Sequence, residues 1–102
     1  MIRRTVVYSP AAREDLFALY DRIAAATSHN VARAYGLRLR DHIEGFDLAS
    51  ERGTPRDDIL RGLRTVGFER RLTIAFRVEA ERVLILRVFY GGQDWEAALR
   101  EL

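Results

Sequence analysis

Cysteine and lysine are both missing from this chain of 102 residues. Without cysteine there is no disulfide scaffold, no thiolate-held zinc and no thiol nucleophile. That composition fits a reducing cytoplasm, where we expect the protein to work. Without lysine, all 17 basic side chains are arginine. Arginine stays protonated at any working pH, so no side chain can act as an amine base or form a Schiff base. Acid–base chemistry would fall to two histidines, the carboxylates or the tyrosines. Long apolar runs are missing as well. Val83-Leu84-Ile85-Leu86 ends at Arg87, far short of the roughly 20 apolar residues that span a bilayer, so no membrane partner is expected. The start, Met1-Ile2-Arg3-Arg4, is basic but has no apolar stretch behind it, so no signal peptide is expected. An excess of one charge is also absent: 17 basic against 15 acidic side chains leave a net charge of +2. That balance suits ribosomal RNA poorly, because phosphate contacts scale with cationic side chains.

What is present describes one ordinary globular domain. The hydrophobic fraction is 48% and the charged fraction 31%, at a length that leaves no room for two cores. Arg4 to Tyr8 is β-branched and aromatic and reads as a first strand. Ser9-Pro10 supplies a hydroxyl cap and a proline at the first helical position, with Glu14 and Asp15 soon after to favour the helix dipole. Leu16, Leu19, Tyr20, Ile23 and Ala24 fall on one face of a helix that should run to about residue 26. A break at Thr27-Ser28-His29-Asn30 leads to a second helix, with Val31, Ala34, Tyr35, Leu39, His42, Ile43 and Phe46 as its apolar stripe. The short connection makes an antiparallel helical hairpin.

Residues 50–62 hold glycine, proline and a charge run, and read as a loop. Beyond it the period changes to two: Leu72, Ile74, Phe76 and Val78 alternate with more polar neighbours. Leu63 to Gly67 should pair ahead of that strand. Val83 to Tyr90 is apolar on both faces apart from Arg87, as expected of a central strand. Asp94 to Leu102 reads as a short terminal helix capped by Asp94, which either covers one sheet edge or contacts a partner. The expected class is therefore α+β, in the order β-α-α-β-β-β, with the hairpin packed on a mostly antiparallel sheet.

Few residues suggest catalysis. His29 and His42 lie too far apart in unlike settings to hold a metal, and a lone histidine on an apolar stripe is more often core than ligand. The pairs Glu14-Asp15 and Asp57-Asp58 read as solvated caps rather than a carboxylate dyad. Gly91-Gly92 lacks the lysine and the strand–loop–helix setting of a phosphate loop. No cofactor or metal is expected. The distribution of charge says more. From Arg61 to Arg77 there are five arginines (Arg61, Arg64, Arg70, Arg71 and Arg77) and one acid, Glu69. By alternation Arg71 and Arg77 share the sheet face opposite Leu72 and Phe76, a place for an acidic partner or a solvated, ion-paired face.

Tyr8-Ser9-Pro10-Ala11-Ala12-Arg13-Glu14-Asp15-Leu16 and Leu19 to Ala24 resemble the opening of the ParE branch of the RelE/ParE toxin superfamily. The resemblance continues through Gly53 to Ile59, Gly62-Leu63-Arg64, Arg71 to Val78 and Val83 to Gly91. It implies a single ParE-like domain over residues 1–102: the toxin of a bacterial type II toxin–antitoxin pair that arrests growth by inhibiting DNA gyrase. Its partner would be a ParD-like antitoxin, in a hetero-oligomer of a heterotetramer or larger, with DNA reached only through the antitoxin. The alternative is a RelE-type, ribosome-dependent mRNA endoribonuclease using Arg64, Arg71 and Arg77. Against that alternative, the nuclease's C-terminal arginine and tyrosine fall near Trp95 and Leu99. We therefore expect a protein-binding toxin with no catalytic residue. Phe17, Tyr20, Arg71 and Arg77 are the antitoxin-binding candidates, and Arg64, Asp94, Trp95 and Leu99 the target-binding candidates.

Overall fold

Ser9 opens the first helix by accepting the Ala12 N–H on its hydroxyl at 3.0 Å, with Pro10 at the first helical position. A computed structural model describes residues 3–102; Met1 and Ile2 of the basic start lie outside the described residues. Strand β1 (Thr5–Tyr8) leads into helix α1 (Pro10–Ala26), and helix α2 (His29–Glu44) follows under a Ser28 cap that accepts the Val31 N–H at 3.2 Å. A 3-10 turn (Gly45–Asp47) ends the hairpin. Then come β2 (Thr54–Pro55), β3 (Leu63–Phe68), β4 (Leu72–Val78), β5 (Arg82–Tyr90) and helix α3 (Trp95–Arg100).

The strands form one sheet in the order β1-β5-β4-β3-β2, parallel only between β1 and β5. The class is α+β and the sheet mostly antiparallel, with one strand more than expected. Strand β2 is only two residues long, inside the stretch read as loop, and pairs with Thr65 and Arg64 of β3. Gly53 makes that approach possible: it sits at φ +75°, and a Cβ there would collide with the Thr65 carbonyl oxygen.

The sheet is covered on both faces. In front, α1 and α2 bury Leu19, Tyr35, Leu39, Ile43 and the nearby Phe46 against Phe68, Leu72, Ile74, Phe76, Ile85 and Val88. Each large apolar side chain so buried contributes about 1.5–3 kcal/mol relative to exposure. The α2 stripe is entered by Ala32, whereas Val31 is 49% exposed and Ala34 is exposed. Behind, Leu99 joins Leu63, Ala75 and Phe89, with Ile59, Leu60, Leu86, Trp95 and Ala98 around them. Helix α3 thus covers a sheet face, not the edge that was one expectation.

Strand β5 serves both cores because its alternation slips. Ala75 lies opposite Arg87 while the next residue, Phe76, lies opposite Ile85, so β5 carries an extra residue at Leu86. Ile85 and Val88 then both face the hairpin, and Leu86 and Phe89 both face α3.

Candidate functional site

A concavity runs between α1 and α2. It holds about 750 Å³ and is floored by Leu16, Leu19, Ile23, Leu39 and Ile43. Helical spacing places these residues inward, and Gly36 on α2 leaves room because it carries no side chain. Phe17 is 73% exposed and Tyr20 37% exposed, and both line this groove. Leu37, 52% exposed, lies on the α2 side. Three exposed aromatic or aliphatic side chains beside one groove form a contiguous apolar surface, which marks a docking site more often than scattered residues do.

The rim is basic. Arg13, Arg33 and Arg40 line the groove, and none makes a salt bridge among the described residues. At the groove's inner end, burial and the Glu44 carboxylate push the Tyr8 hydroxyl up to about 12, against the pull of Arg40. Tyr8 therefore stays protonated at neutral pH. The groove can hold an apolar, acid-flanked protein segment.

Of the four residues expected to bind an antitoxin, the structure brings Phe17 and Tyr20 to this groove and leaves Arg71 and Arg77 outside it. Arg77 lies on the back face, half-buried, and donates from Nη2 to the Arg61 carbonyl at 3.1 Å. Arg71 is exposed at the β3–β4 turn, at the opposite end of β4. Six residues of strand separate the two arginines by about 20 Å.

The target-binding candidates divide as well. Arg64 lies on the front face opposite Phe76, and its fork donates to the carbonyls of Arg52 at 2.8 Å and Glu51 at 3.2 Å, pinning the loop before β2. Asp94 caps α3 by accepting the Ala97 N–H at 3.2 Å. Trp95 lies under the Arg56 guanidinium, 5.2 Å from its ring centroid, and Arg56 bonds Glu96 at 2.6 Å and Asp58 at 2.9 Å. Leu99, expected as a target contact, is 1% exposed and belongs to the back-face core, so its side chain cannot reach a partner while α3 is docked.

Sequence reasoning missed the groove's arginines, because an arginine on an exposed helical position resembles any solvated face until the hairpin closes. It also missed the role of Asp15. Instead of acting as a solvated cap, this carboxylate accepts from Arg87 Nε at 2.7 Å, from Arg87 Nη2 at 3.0 Å and from the Val88 N–H at 2.9 Å. The Ser9 hydroxyl meanwhile donates to the Leu86 carbonyl at 2.8 Å. Together they fasten α1 onto the β5 bulge and so set one wall of the groove.

With this geometry described, comparison with known proteins is direct. A family model described as "ParE toxin of type II toxin-antitoxin system, parDE" matches residues 6–95. Among solved structures, a chain of a chromosomal ParDE toxin–antitoxin system from P. aeruginosa is similar, with 22% identity and a TM-score of 0.75, over 86% of this chain and 96% of that one. A chain of the RelBE2 toxin–antitoxin complex from Mycobacterium tuberculosis is 25% identical, with a TM-score of 0.64, over 91% of this chain and 97% of that one. No curated protein matches.

Proposed function

The chain belongs to the ParE family of toxins from type II toxin–antitoxin systems, and from that premise we propose that it arrests growth by binding DNA gyrase and is neutralised by a ParD-like antitoxin seated in the α1–α2 groove. The observation that carries the reading is the groove itself: an apolar channel of about 750 Å³ with Phe17 and Tyr20 beside it and Arg13, Arg33 and Arg40 around it. An amphipathic acidic segment would lay its apolar side along the floor and its carboxylates against the arginines. The toxin works in the cytoplasm, in a hetero-oligomer with the antitoxin, and touches DNA only through that partner.

A RelE-type nuclease is the second reading, and the likeness to the RelBE2 complex supports it. The arrangement of the arginines favours the first. A nuclease needs cationic groups converging on one phosphate, whereas Arg64 lies in front of the sheet, Arg77 behind it and Arg71 at its far end. Arginines cannot move protons, so a general base would still be missing.

The deciding experiment incubates purified toxin with gyrase, supercoiled plasmid and ATP, and in parallel with programmed ribosomes. Blocked supercoiling or accumulated cleaved DNA complexes beside intact mRNA is the expected result. Site-specific mRNA cuts abolished by Arg71→Ala would overturn it and make the protein an enzyme. For the groove, Phe17→Ala should weaken the antitoxin complex by roughly 1–3 kcal/mol if the ring is a hot spot. An unchanged dissociation constant would remove Phe17 from the interface.

A further inference from the structure

The β3–β4 turn is built in a conformation its sequence does not favour. The Arg71 N–H bonds the Phe68 carbonyl at 3.0 Å, and the two residues between, Glu69 at φ 48° and Arg70 at φ 58°, are both left-handed. That is the backbone of a tight hairpin turn normally supplied by Asn-Gly. Two long charged side chains hold it here, and strain of this kind gathers at working surfaces.

What holds the turn also determines its charge. Glu69 is bound on both oxygens by Arg38 of α2, at 3.0 and 3.2 Å, so the one acid on the turn is already neutralised. The Arg71 carbonyl accepts the Gly91 N–H at 2.7 Å, which ties the turn to the end of β5. There Arg22 of α1 lies over Tyr90, its guanidinium carbon 4.8 Å from the ring centroid. Arg22, Arg70 and Arg71 are all exposed, and none has a salt bridge among the described residues. None of the three lines the groove.

We propose that this end of the sheet, with Arg70 and Arg71 on the turn and Arg22 beside Tyr90, grips an acidic surface on the toxin's protein target, separately from the groove that takes the antitoxin. The proposal rests on the toxin reading given above. Magnitudes favour a protein over nucleic acid. Three arginines meeting three phosphates would give a log–log salt slope of only about −2.7, where effective duplex binders make roughly 6–10 such contacts. Three forks and a tyrosine gathered at one end of the sheet instead match the makeup of a protein hot spot.

The test uses the full chain, with Arg70→Gly/Arg71→Gln as one variant and Arg22→Gln as another. Glycine at position 70 relieves the left-handed strain while removing the charge, so the first variant should melt no lower than wild type. The second lies on a different element, beyond any fault in the turn. Three readouts are taken: growth arrest on expression, affinity for a ParD-like antitoxin, and titration of a duplex DNA oligomer. Both variants should lose arrest, with inhibition of gyrase weakened roughly tenfold or more, while antitoxin affinity stays within about twofold. Arrest at wild-type strength by both variants overturns the proposal alone. A parallel loss of antitoxin affinity overturns it by giving the patch to the antitoxin, and arginine-dependent binding of the oligomer overturns it in favour of nucleic acid. A wild type that arrests nothing removes the toxin reading and the proposal together.

Discussion

Asp15 shows how much one side chain can carry in a domain of this size. It closes three charge-assisted hydrogen bonds across the α1–β5 junction, two of them with the Arg87 guanidinium. Truncating it leaves the Val88 N–H and a three-quarters buried Arg87 without their acceptor. Asp15→Ala should therefore cost about 1–3 kcal/mol, read as a lower urea midpoint at unchanged m-value; an unmoved midpoint would mean that water takes over the carboxylate's contacts. His42 makes the opposite case. Its ring packs on Phe46 and Phe68 with Nε2 buried and unpartnered. Burial, and then the Arg52 charge, hold its pKa below the ordinary histidine value. The unfolded chain binds a proton at about pH 6.5, whereas the folded chain does so only at lower pH. Stability must therefore fall as pH drops through about 6.5 and level off below the folded value. His42→Leu should flatten that part of the curve, and it should cost little near neutral pH because an unpaired ring nitrogen is removed. Matching pH profiles for wild type and variant would show that the ring is solvated when folded.

Among the elements, those read correctly in advance are the ones whose periodicity comes from local sequence. Ser9-Pro10 and Ser28 start their helices where expected, and Leu72, Ile74 and Phe76 face the hairpin as their alternation requires. What could not be read depends on distant contacts. Strand β2 exists because Gly53 lets two residues approach Thr65. The β5 bulge hides in a run that simply looks apolar on both faces. Phe17 could be set aside from the α1 stripe by spacing alone, and it is exposed. Arg64 and Arg77 could not be distinguished from free arginines, because the carbonyls that occupy their forks belong to loops. Helix α3 is the clearest case. Its six residues cannot be stable alone, so they are held by Leu99 and by the Arg56 bridge to Glu96. Leu99→Ala should cost about 2–5 kcal/mol as a core truncation. Deleting residues 97–102 should expose the back face and drive the protein insoluble. A deletion that stays folded and binds antitoxin, yet no longer arrests growth, would show instead that α3 contacts the target.

For the molecule as a whole, a net charge of +2 conceals an uneven distribution. Carboxylates are drawn into pairs with Arg38, Arg56, Arg82 and Arg87. Among the described residues, the arginines left without salt bridges include Arg13, Arg33 and Arg40 at the groove and Arg22, Arg70 and Arg71 at the far end of the sheet. The groove set surrounds an apolar floor, and this combination divides the work of binding. Buried apolar contact holds the segment once seated and depends little on salt, whereas exposed charge mainly steers its arrival. An antitoxin binding there should therefore associate more slowly as salt rises from about 50 to about 500 mM, roughly a threefold change in Debye length. Its dissociation rate should stay nearly constant. Arg13→Gln/Arg40→Gln should reproduce the high-salt association rate at low salt and leave dissociation untouched, as stopped-flow mixing would record. If dissociation accelerates instead, the arginines are desolvated partners in the seated complex, and each would contribute about 1.5–3 kcal/mol there. An association rate that ignores salt would mean that the basic rim is solvated surface and that the apolar floor alone selects the partner.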